Sequence, residues 1–552
     1  MIREAGDSAL LLELDPVIDP EVNARAVAIA AALRRHQFSG VRDVVSTFRS
    51  VAVFFDPLRA DVAALADAIS RASSAPPIIE ERPPMDVEVV YGGESGPDLA
   101  DVAAFAGCAP SEVIDRHASR TYRVFMLGFL PGFAYMGLVD DSIAAPRRAT
   151  PRTRVPAGSV GIAGRQTGIY PFDSPGGWQI IGRTAVTVFD PERTPPALFA
   201  PGDSVRFVSV SSEKCEASLH GPPRGPQGSA PHQAGSTSHP ARSVTVLRPG
   251  LLTTVQDEGR WGYQDFGVPV SGPMDPVAHR LANAIVGNPR DAATLEATVL
   301  GPELRIEQQT TVALTGADLA ATLDGAEVPR HAPVSCRPGS VISFGPRRSG
   351  ARAYVAFDGG VSTPWALGSR ATHALSRLGG IDGRPVRAGD RIPLGETSAA
   401  PFQALQTTRS PWPSPEAGGA RLRVMAGPQG ASFTPGVFAA LQATRFTIST
   451  QSDRMGYRLS SDRPVPFAAT GQMISDVTLV GGLQVPPSGN PILLMADRQT
   501  TGGYPQIVTV ITADLPAAGQ LAPGDWVEFE LCTRADALAA LVAQEGRLLA
   551  FG

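Results

Sequence analysis

The stretch PRRATPRTRVPAGSVGIAGRQTGIYPFDSPGGWQIIGRT, residues Pro146 to Thr184, combines an arginine-proline strap, short β-type runs and a glycine loop. Four of its arginines, Arg147, Arg148, Arg152 and Arg154, stand among prolines that keep the backbone extended rather than helical. Short β-type runs follow, Ser159–Ala163 and Thr167–Tyr170, interrupted by glycines. The segment then offers a carboxylate at Asp173, a hydroxyl at Ser174 and, at Gly176 and Gly177, a backbone bare of side chains. Such a loop lets a ligand reach main-chain N–H groups, which together bind anions. The same pattern also fits the wall of a β-barrel in which Gly and Pro only make turns.

Outward from this stretch the chain divides into five parts. Residues 1–85 alternate as strand, helix, strand, strand and helix, a ferredoxin-like pattern. Asp19-Pro20 starts its first helix, with Val22, Ala26, Ile29 and Leu33 at helical spacing. Asn23 and Arg49 read as surface or capping residues. Residues 86–210 begin with a strand at Val87–Tyr91 and two short helices, Asp98–Phe105 and Ser111–His117, and continue as strands and Gly/Pro turns, as in a closed β-barrel. His117 ends the second of these helices, where it serves either as a general base or as a cation favoured by the helix dipole. Residues 211–243 are a Gly/Pro/Ser-rich linker with few large apolar residues. The histidines in it, His220, His232 and His239, read as part of a tether rather than a metal site. Residues 244–400 and 420–552 are two further β-rich units, joined by a loose segment, Ser398–Gly419, and ended by an amphipathic helix at Ala535–Leu549. A turn of similar type precedes a final strand three times: Pro201-Gly202-Asp203, Ala388-Gly389-Asp390 and Pro523-Gly524-Asp525. It points to related units.

Composition excludes several function classes. A net charge of −5 over 552 residues gives no basic field for nucleic acid. Lys214 is the single lysine among 48 basic residues, so a GxxxxGK[ST] phosphate loop is absent and a lysine Schiff base has no place in the folded regions. The four cysteines, far apart, form no CxxC pair and argue against zinc and against a disulfide framework, as expected of a cytoplasmic protein. The opening MIREAGDSALLLEL has no basic segment of a signal peptide, and no apolar run approaches the ~20 residues of a membrane span.

In the second half, Asp453-Arg454-Met455-Gly456-Tyr457-Arg458 places a guanidinium where it can grip phosphate or carboxylate. Asp497-Arg498-Gln499-Thr500-Thr501-Gly502-Gly503-Tyr504 repeats the theme of the Asp173 loop: an acid, a hydroxyl, then two glycines. Two such loops in different halves suggest a composite site at their interface. Any magnesium there would be held mostly by nucleotide phosphates, since those need only one or two carboxylates.

The Pro146–Thr184 stretch, with Met126-Leu-Gly-Phe-Leu-Pro-Gly-Phe-Ala-Tyr135 before it, resembles the B component of bacterial ATP-dependent 5-oxoprolinase, the Kip-type or allophanate hydrolase subunit 1 family. The second half resembles the C component, so the chain looks like a natural fusion of the two. The resemblance implies a mainly β protein of three cyclophilin-like barrels behind a small α+β domain. It implies a hydrolase component that activates 5-oxoproline with ATP and Mg2+, a separate A component completing ring opening to glutamate. The site residues so implied are Arg148, Arg152, Gln166, Asp173, Ser174, Gly176 and Gly177 in the first half. In the second they are Asp257, Arg260, Ser271, Asp275, Glu296, Arg454, Tyr457, Asp497, Gln499, Thr500, Gly502, Gly503 and Tyr504. Asp173, Asp497 and His117 are the catalytic candidates. Gln506, where many relatives carry Lys, and His373, in place of a more usual acid, depart from the family pattern. Similar halves form the carboxyltransferase part of urea carboxylase, and the first half also resembles an inhibitor of a sporulation histidine kinase. With no Met-Lys biotinylation site, the carboxyltransferase reading needs separate biotin-bearing partners.

Overall fold

The computed structural model describes residues 1–76, 83–211, 242–397, 418–462, 465 and 473–550. Most of the proposed linker, with Lys214, His220, His232 and His239, lies outside the described residues, as does most of Ser398–Gly419.

The N-terminal unit is a four-stranded antiparallel sheet in the order Ile2–Glu4, Ala9–Glu13, Ser50–Phe55, Val41–Ser46. The last three strands stand as a ferredoxin-like sheet requires, and Ile2–Glu4 takes the outer place. The helix Pro20–Arg35 starts as its sequence dictates: the Asp19 carboxylate accepts from the Glu21 and Val22 N–H groups, and Pro20 opens the first turn. Val22, Ala26, Ile29 and Leu33 are buried beneath it.

The first β unit is a closed barrel of seven strands. Around the wall they run Gln166–Ile169, Ala134–Gly137, Thr121–Leu127, Ser204–Ser209, Met85–Tyr91, Gln179–Arg183 and Ser159–Ala163. The final strand of the unit closes the barrel by pairing parallel with the first, Val205 opposite Met85. The third β unit repeats this plan. Seven strands close a second barrel, and its last strand, Trp526–Leu531, pairs parallel with its first, Gly419–Ala426.

The middle unit differs. Its strands form two separate sheets, of six and five strands, and its last strand, Arg391–Pro393, pairs antiparallel with Ser243–Arg248. Two of the three β units therefore close, and the middle one packs sheet on sheet around Val246, Leu295, Leu304, Leu314 and Phe357. The recurring turn is the same in all three. Gly202, Gly389 and Gly524 have φ of +98°, +88° and +90°, and the following aspartate accepts a backbone N–H from Ala200, Arg387 or Ala522 at 2.8, 2.7 or 2.8 Å. Glycine is needed there because a side chain is disfavoured at positive φ.

Asn23 corrects its surface assignment. It is buried, its Nδ2 donates to the Thr47 and Phe125 carbonyls, and its Oδ1 accepts from Arg123 Nε at 2.8 Å, stitching the N-terminal unit to the first barrel. Arg49 is largely covered and pairs with Glu13 at 3.2 Å. No described helix is long and apolar enough to cross a membrane.

Candidate active site at the junction of the halves

The two halves meet along loops that the sequence marks with glycine. The Met126–Tyr135 turn runs under the second half so closely that a Cβ on Gly128 would fall 1.9 Å from Thr501 Oγ1, and one on Gly267 2.6 Å from the Leu130 carbonyl. Gly132 N donates to the Phe266 carbonyl at 2.8 Å. Phe172, next to Asp173, packs with Phe189, Val268 and Leu378. On the first-barrel side stands an aromatic cluster of Phe133, Tyr135, Tyr170 and Trp178 with ring centroids 5.0–6.0 Å apart. Burial pushes the Tyr135 and Tyr170 hydroxyls up to about 12.

On the second-half side the cluster is ionic. Arg454 donates through Nε and Nη2 to the two oxygens of Asp497 at 2.9 and 3.1 Å, through Nη1 to Glu296 Oε1, and through Nη2 to the Gly272 carbonyl at 2.6 Å. Glu296 Oε2 accepts from the Met274 N–H and the Tyr354 hydroxyl at 2.8 and 2.7 Å. One guanidinium thus joins the third unit, through Asp497, to the middle unit, through Glu296. Burial alone would raise the Asp497 carboxyl, but Arg454, then His373 and the Ser271 hydroxyl, outweigh it and hold the group below its usual range. Burial would lower Arg454; Asp497 and Glu296 more than reverse this. The pair stays ionised because both its members are also hydrogen-bonded.

Arg260 stands beside this cluster. Its side chain is 0% exposed; Nε and Nη2 donate to the Ala366 and Ala371 carbonyls, both at 2.8 Å, while Nη1 has no hydrogen-bond partner. Burial lowers its pKa to about 10, against the pull of Asp257 and Asp497. Asp257 does not neutralise it: that carboxylate accepts from Ser369 Oγ and Arg370 N, at 2.5 Å each, and from Gly259 N at 3.0 Å. Thr372 Oγ1 and Thr500 Oγ1 are likewise buried without partners. Ser271 holds a left-handed backbone at φ +57°. Buried donors without protein partners are costly, and each calls for a water, an ion or a ligand group to meet it.

The remaining candidates sort by place. Arg148 and Arg152 are spent on buried Asp98, at 2.6 to 2.8 Å, which also accepts Ile180 N at 2.6 Å. They fix the Pro146–Val155 strap rather than present free cations. Sequence reasoning missed Asp98, whose only signal is an acid at the start of a short helix. Asp173 is 47% exposed and binds Arg154, itself 75% exposed, at 2.6 Å and Ala157 N at 2.9 Å. Ser174 Oγ is buried and unpartnered, and a Cβ on Gly176 would fall 2.5 Å from the Tyr170 hydroxyl. Arg148 N donates to the Gly177 carbonyl, and Gln166 lies in the wall opposite Ala163 and Gly137. Among the described residues no hydrogen bond or ion pair links the Asp173 and Asp497 carboxylates; the loops share the junction through Phe172 and Thr501 instead.

His117 corrects the sequence expectation. It is buried inside the first barrel, stacked on Phe207, with its ring nitrogens on Tyr91 Oη and Thr167 Oγ1 at 2.8 and 2.9 Å. Burial lowers it to about 3, so it is neither a solvent-facing cation nor within reach of a substrate. Asp275 caps the helix Pro276–Ile285, and Tyr457 Oη accepts from Arg352 at 2.8 Å in the third unit's interior. The Gln499 carbonyl accepts from Thr478, a Cβ on Gly502 would meet Gln484 at 2.6 Å, and Gly503 and exposed Tyr504 lie beyond it. Gln506, in place of lysine, is buried and bonded to Val477 O and Leu479 N at 2.8 and 3.0 Å. Among the described residues no group of three or more His, Cys, Asp or Glu is placed to hold a metal ion.

Residues 1–199 match the family described as "Carboxyltransferase domain, subdomain C and D", and residues 266–531 the family "Carboxyltransferase domain, subdomain A and B". The chain is 40% identical over 228 residues to the B component of the 5-oxoprolinase of Bacillus subtilis, covering 39% of this chain and 95% of that protein. It is 34% identical over 302 residues to the C component of the 5-oxoprolinase of Escherichia coli, covering 55% of this chain and 95% of that one. A urea amidolyase of Saccharomyces cerevisiae is 33% identical over 303 residues, 52% of this chain but 16% of its own length. The crystallised protein TTHA0988 superposes with a TM-score of 0.81 at 34% identity, over 96% of this chain and all of that one.

Proposed function

Because the chain belongs to the carboxyltransferase-domain family and carries its B-like and C-like parts fused in one polypeptide, we propose that it is the 5-oxoproline-activating component of an ATP-dependent 5-oxoprolinase. The observation that carries this reading is that the two parts match 5-oxoprolinase components over 95% of those proteins' lengths and pack directly on one another, Gly128 against Thr501 and Gly132 against Phe266. A separate A component is the proposed partner for ring opening.

The junction fits anions. Arg260 Nη1, Thr372 Oγ1 and Thr500 Oγ1 supply donors for a substrate carboxylate or a phosphate, and Ser174 Oγ a further one from the first half. A nucleotide bound there would supply the phosphoryl group that turns the amide oxygen into a leaving group, and any Mg2+ would need few protein carboxylates. Arg260 holds developing negative charge; with its other nitrogens fixed to carbonyls it needs no reorganisation to do so. Asp497 is a positioning residue: kept ionised, it locks Arg454 and faces Ser271 and His373. The aromatic cluster excludes water from the other side. Asp173 shapes its loop through Arg154 and Ala157.

The test is ATP turnover by the purified chain with 5-oxoproline, with and without the A component. Turnover that depends on 5-oxoproline supports the reading. Turnover seen only with urea and a biotin carrier gives the chain to the carboxyltransferase reading, which the family description and the urea amidolyase likeness favour.

A further inference from the structure

A buried chain of polar groups crosses the seam where the N-terminal sheet lies on the second half. Asp43, in the strand Val41–Ser46, is 7% exposed. Its Oδ2 accepts from the Gly262 and Gln264 N–H groups at 3.0 and 3.2 Å, and from Gln264 Nε2 at 3.4 Å. Gln264, buried at the start of the turn Gln264–Phe266 in the middle unit, accepts through Oε1 from Arg498 Nη2 at 2.9 Å. Arg498, buried in the third unit, also donates through Nε to the Thr478 carbonyl at 3.3 Å. One side-chain amide thus stands between a carboxylate and a guanidinium, its N–H toward the acid and its carbonyl toward the cation.

The two charges depend on each other. The Arg498 hydrogen bonds go to neutral acceptors, and burial lowers its pKa to about 10, against the pull of Asp43. Burial above all raises the Asp43 carboxyl to about 6, with Asp265 adding to it and the Gln264 and Gly262 donors opposing. The other charges at the seam are engaged elsewhere. Asp265 holds Arg34 at 2.6 Å and accepts from Ser46 N at 2.9 Å, and Arg42 pairs with Asp56 at 3.0 Å while lying over the Trp261 ring. Removing one of two buried opposite charges strands the other.

Arg498 directly follows Asp497, which locks Arg454, and its loop ends on Thr500, whose buried hydroxyl has no partner. Whatever holds Arg498 therefore holds both. We propose that Asp43 is a positioning residue for the Asp497–Thr500 loop, acting through Gln264 and Arg498, so that the seating of the N-terminal unit sets the geometry of the junction. Its catalytic consequence rests on the reading of that junction as the reaction site.

Amide hydrogen exchange of the full chain, followed over residues 497–503, tests the relay without any reaction. Asp43→Asn, nearly unchanged in size, and Gln264→Met each speed exchange there at least about tenfold, while exchange over residues 159–169 of the first barrel stays as in wild type. Asp7→Asn is the control. Asp7 ties the same N-terminal unit to Thr512 N and Oγ1 at 2.8 and 2.7 Å but stands outside the relay, and its variant leaves the loop as in wild type. Unchanged loop exchange in either relay variant overturns the proposal. So does equal acceleration in Asp7→Asn, since any loosening of the unit would then suffice.

Turnover with 5-oxoproline and the A component gives the second readout. Asp43→Asn lowers kcat about tenfold at pH 7.5. The ionised carboxylate is the working form, so wild-type turnover falls through an acid-side step near pH 6 that Asp43→Asn lacks. The same step in Asp43→Asn overturns the proposal. Wild-type protein without 5-oxoproline-dependent turnover refutes the reaction assigned to the junction, while the exchange result still decides the relay.

Discussion

The first and third β units are both seven-stranded barrels closed by a parallel pair, and each carries an acid-then-two-glycines loop at the junction, yet they treat charge in opposite ways. In the first, the loop acid Asp173 sits in solvent with Arg154, and a fully buried polar side chain of the barrel, His117, is neutral. In the third, the loop acid Asp497 is covered and locked to Arg454, which also grips Glu296 of the neighbouring unit. A similar acid–arginine pair is a surface ornament in one barrel and a clamp between units in the other. Coulomb attraction is strong only where water is excluded, and only there does losing one partner strand the other.

The largest effect that tests this contrast is at the clamp. Asp497→Ala leaves Arg454 with one carboxylate, Glu296, beside the Gly272 carbonyl, and its expected cost is ~3–5 kcal/mol in urea unfolding. Asp497→Asn, milder for the fold, is expected to lower 5-oxoproline-dependent ATP turnover by ~10²-fold. A clamp variant as stable and active as wild type breaks the comparison.

Gly128→Ala tests the seam itself. The added methyl meets Thr501 Oγ1, and a loss of ~1–3 kcal/mol is expected from overpacking. Thr501→Gly in the same chain, which removes the oxygen, the methyl and the Cβ, is expected to restore most of it; a double variant as destabilised as Gly128→Ala would place the strain away from Thr501.

His117 sharpens the neutral side of the comparison through pH. The unfolded ring takes a proton below 6.5, while the folded ring, lowered to about 3, does not. Its contribution is therefore complete above 6.5 and is withdrawn as pH falls toward 3. The stability advantage of wild type over His117→Gln is expected to shrink by roughly 2 kcal/mol between pH 7.5 and 5 in urea midpoints. A constant gap would show a charged or exposed ring.

The smallest effect belongs to the surface pair. Asp173→Asn is expected to change stability by less than ~1 kcal/mol and to leave turnover within a few-fold of wild type. A loss equal to that of Asp497→Asn would restore Asp173 to the chemistry and remove the distinction drawn between the barrels.

Features that rest on local rules are legible in the residues alone. The Asp19-Pro20 start of the first helix, the helix spacing of Val22 to Leu33, the three Gly-Asp turns and the β-rich character of both halves follow from capping, periodicity and φ preferences, which act over a few residues. The acid–glycine loops were also legible as a pair. What only the tertiary structure decided depends on residues far apart in the chain. Arg148 and Arg152 read as available cations until Asp98, some 50 residues earlier, consumes them. His117 reads as a helix-end cation until Tyr91 and Thr167 close around it. Arg454 becomes a clamp only because folding brings Glu296, 158 residues away, to it. The middle unit keeps two sheets, with its last strand antiparallel to its first, where the other two units close with a parallel pair. Local sequence sets which groups a segment offers; burial and long-range pairing decide which of them remain free to act, because the energy of a charge depends on the partners and the water left around it.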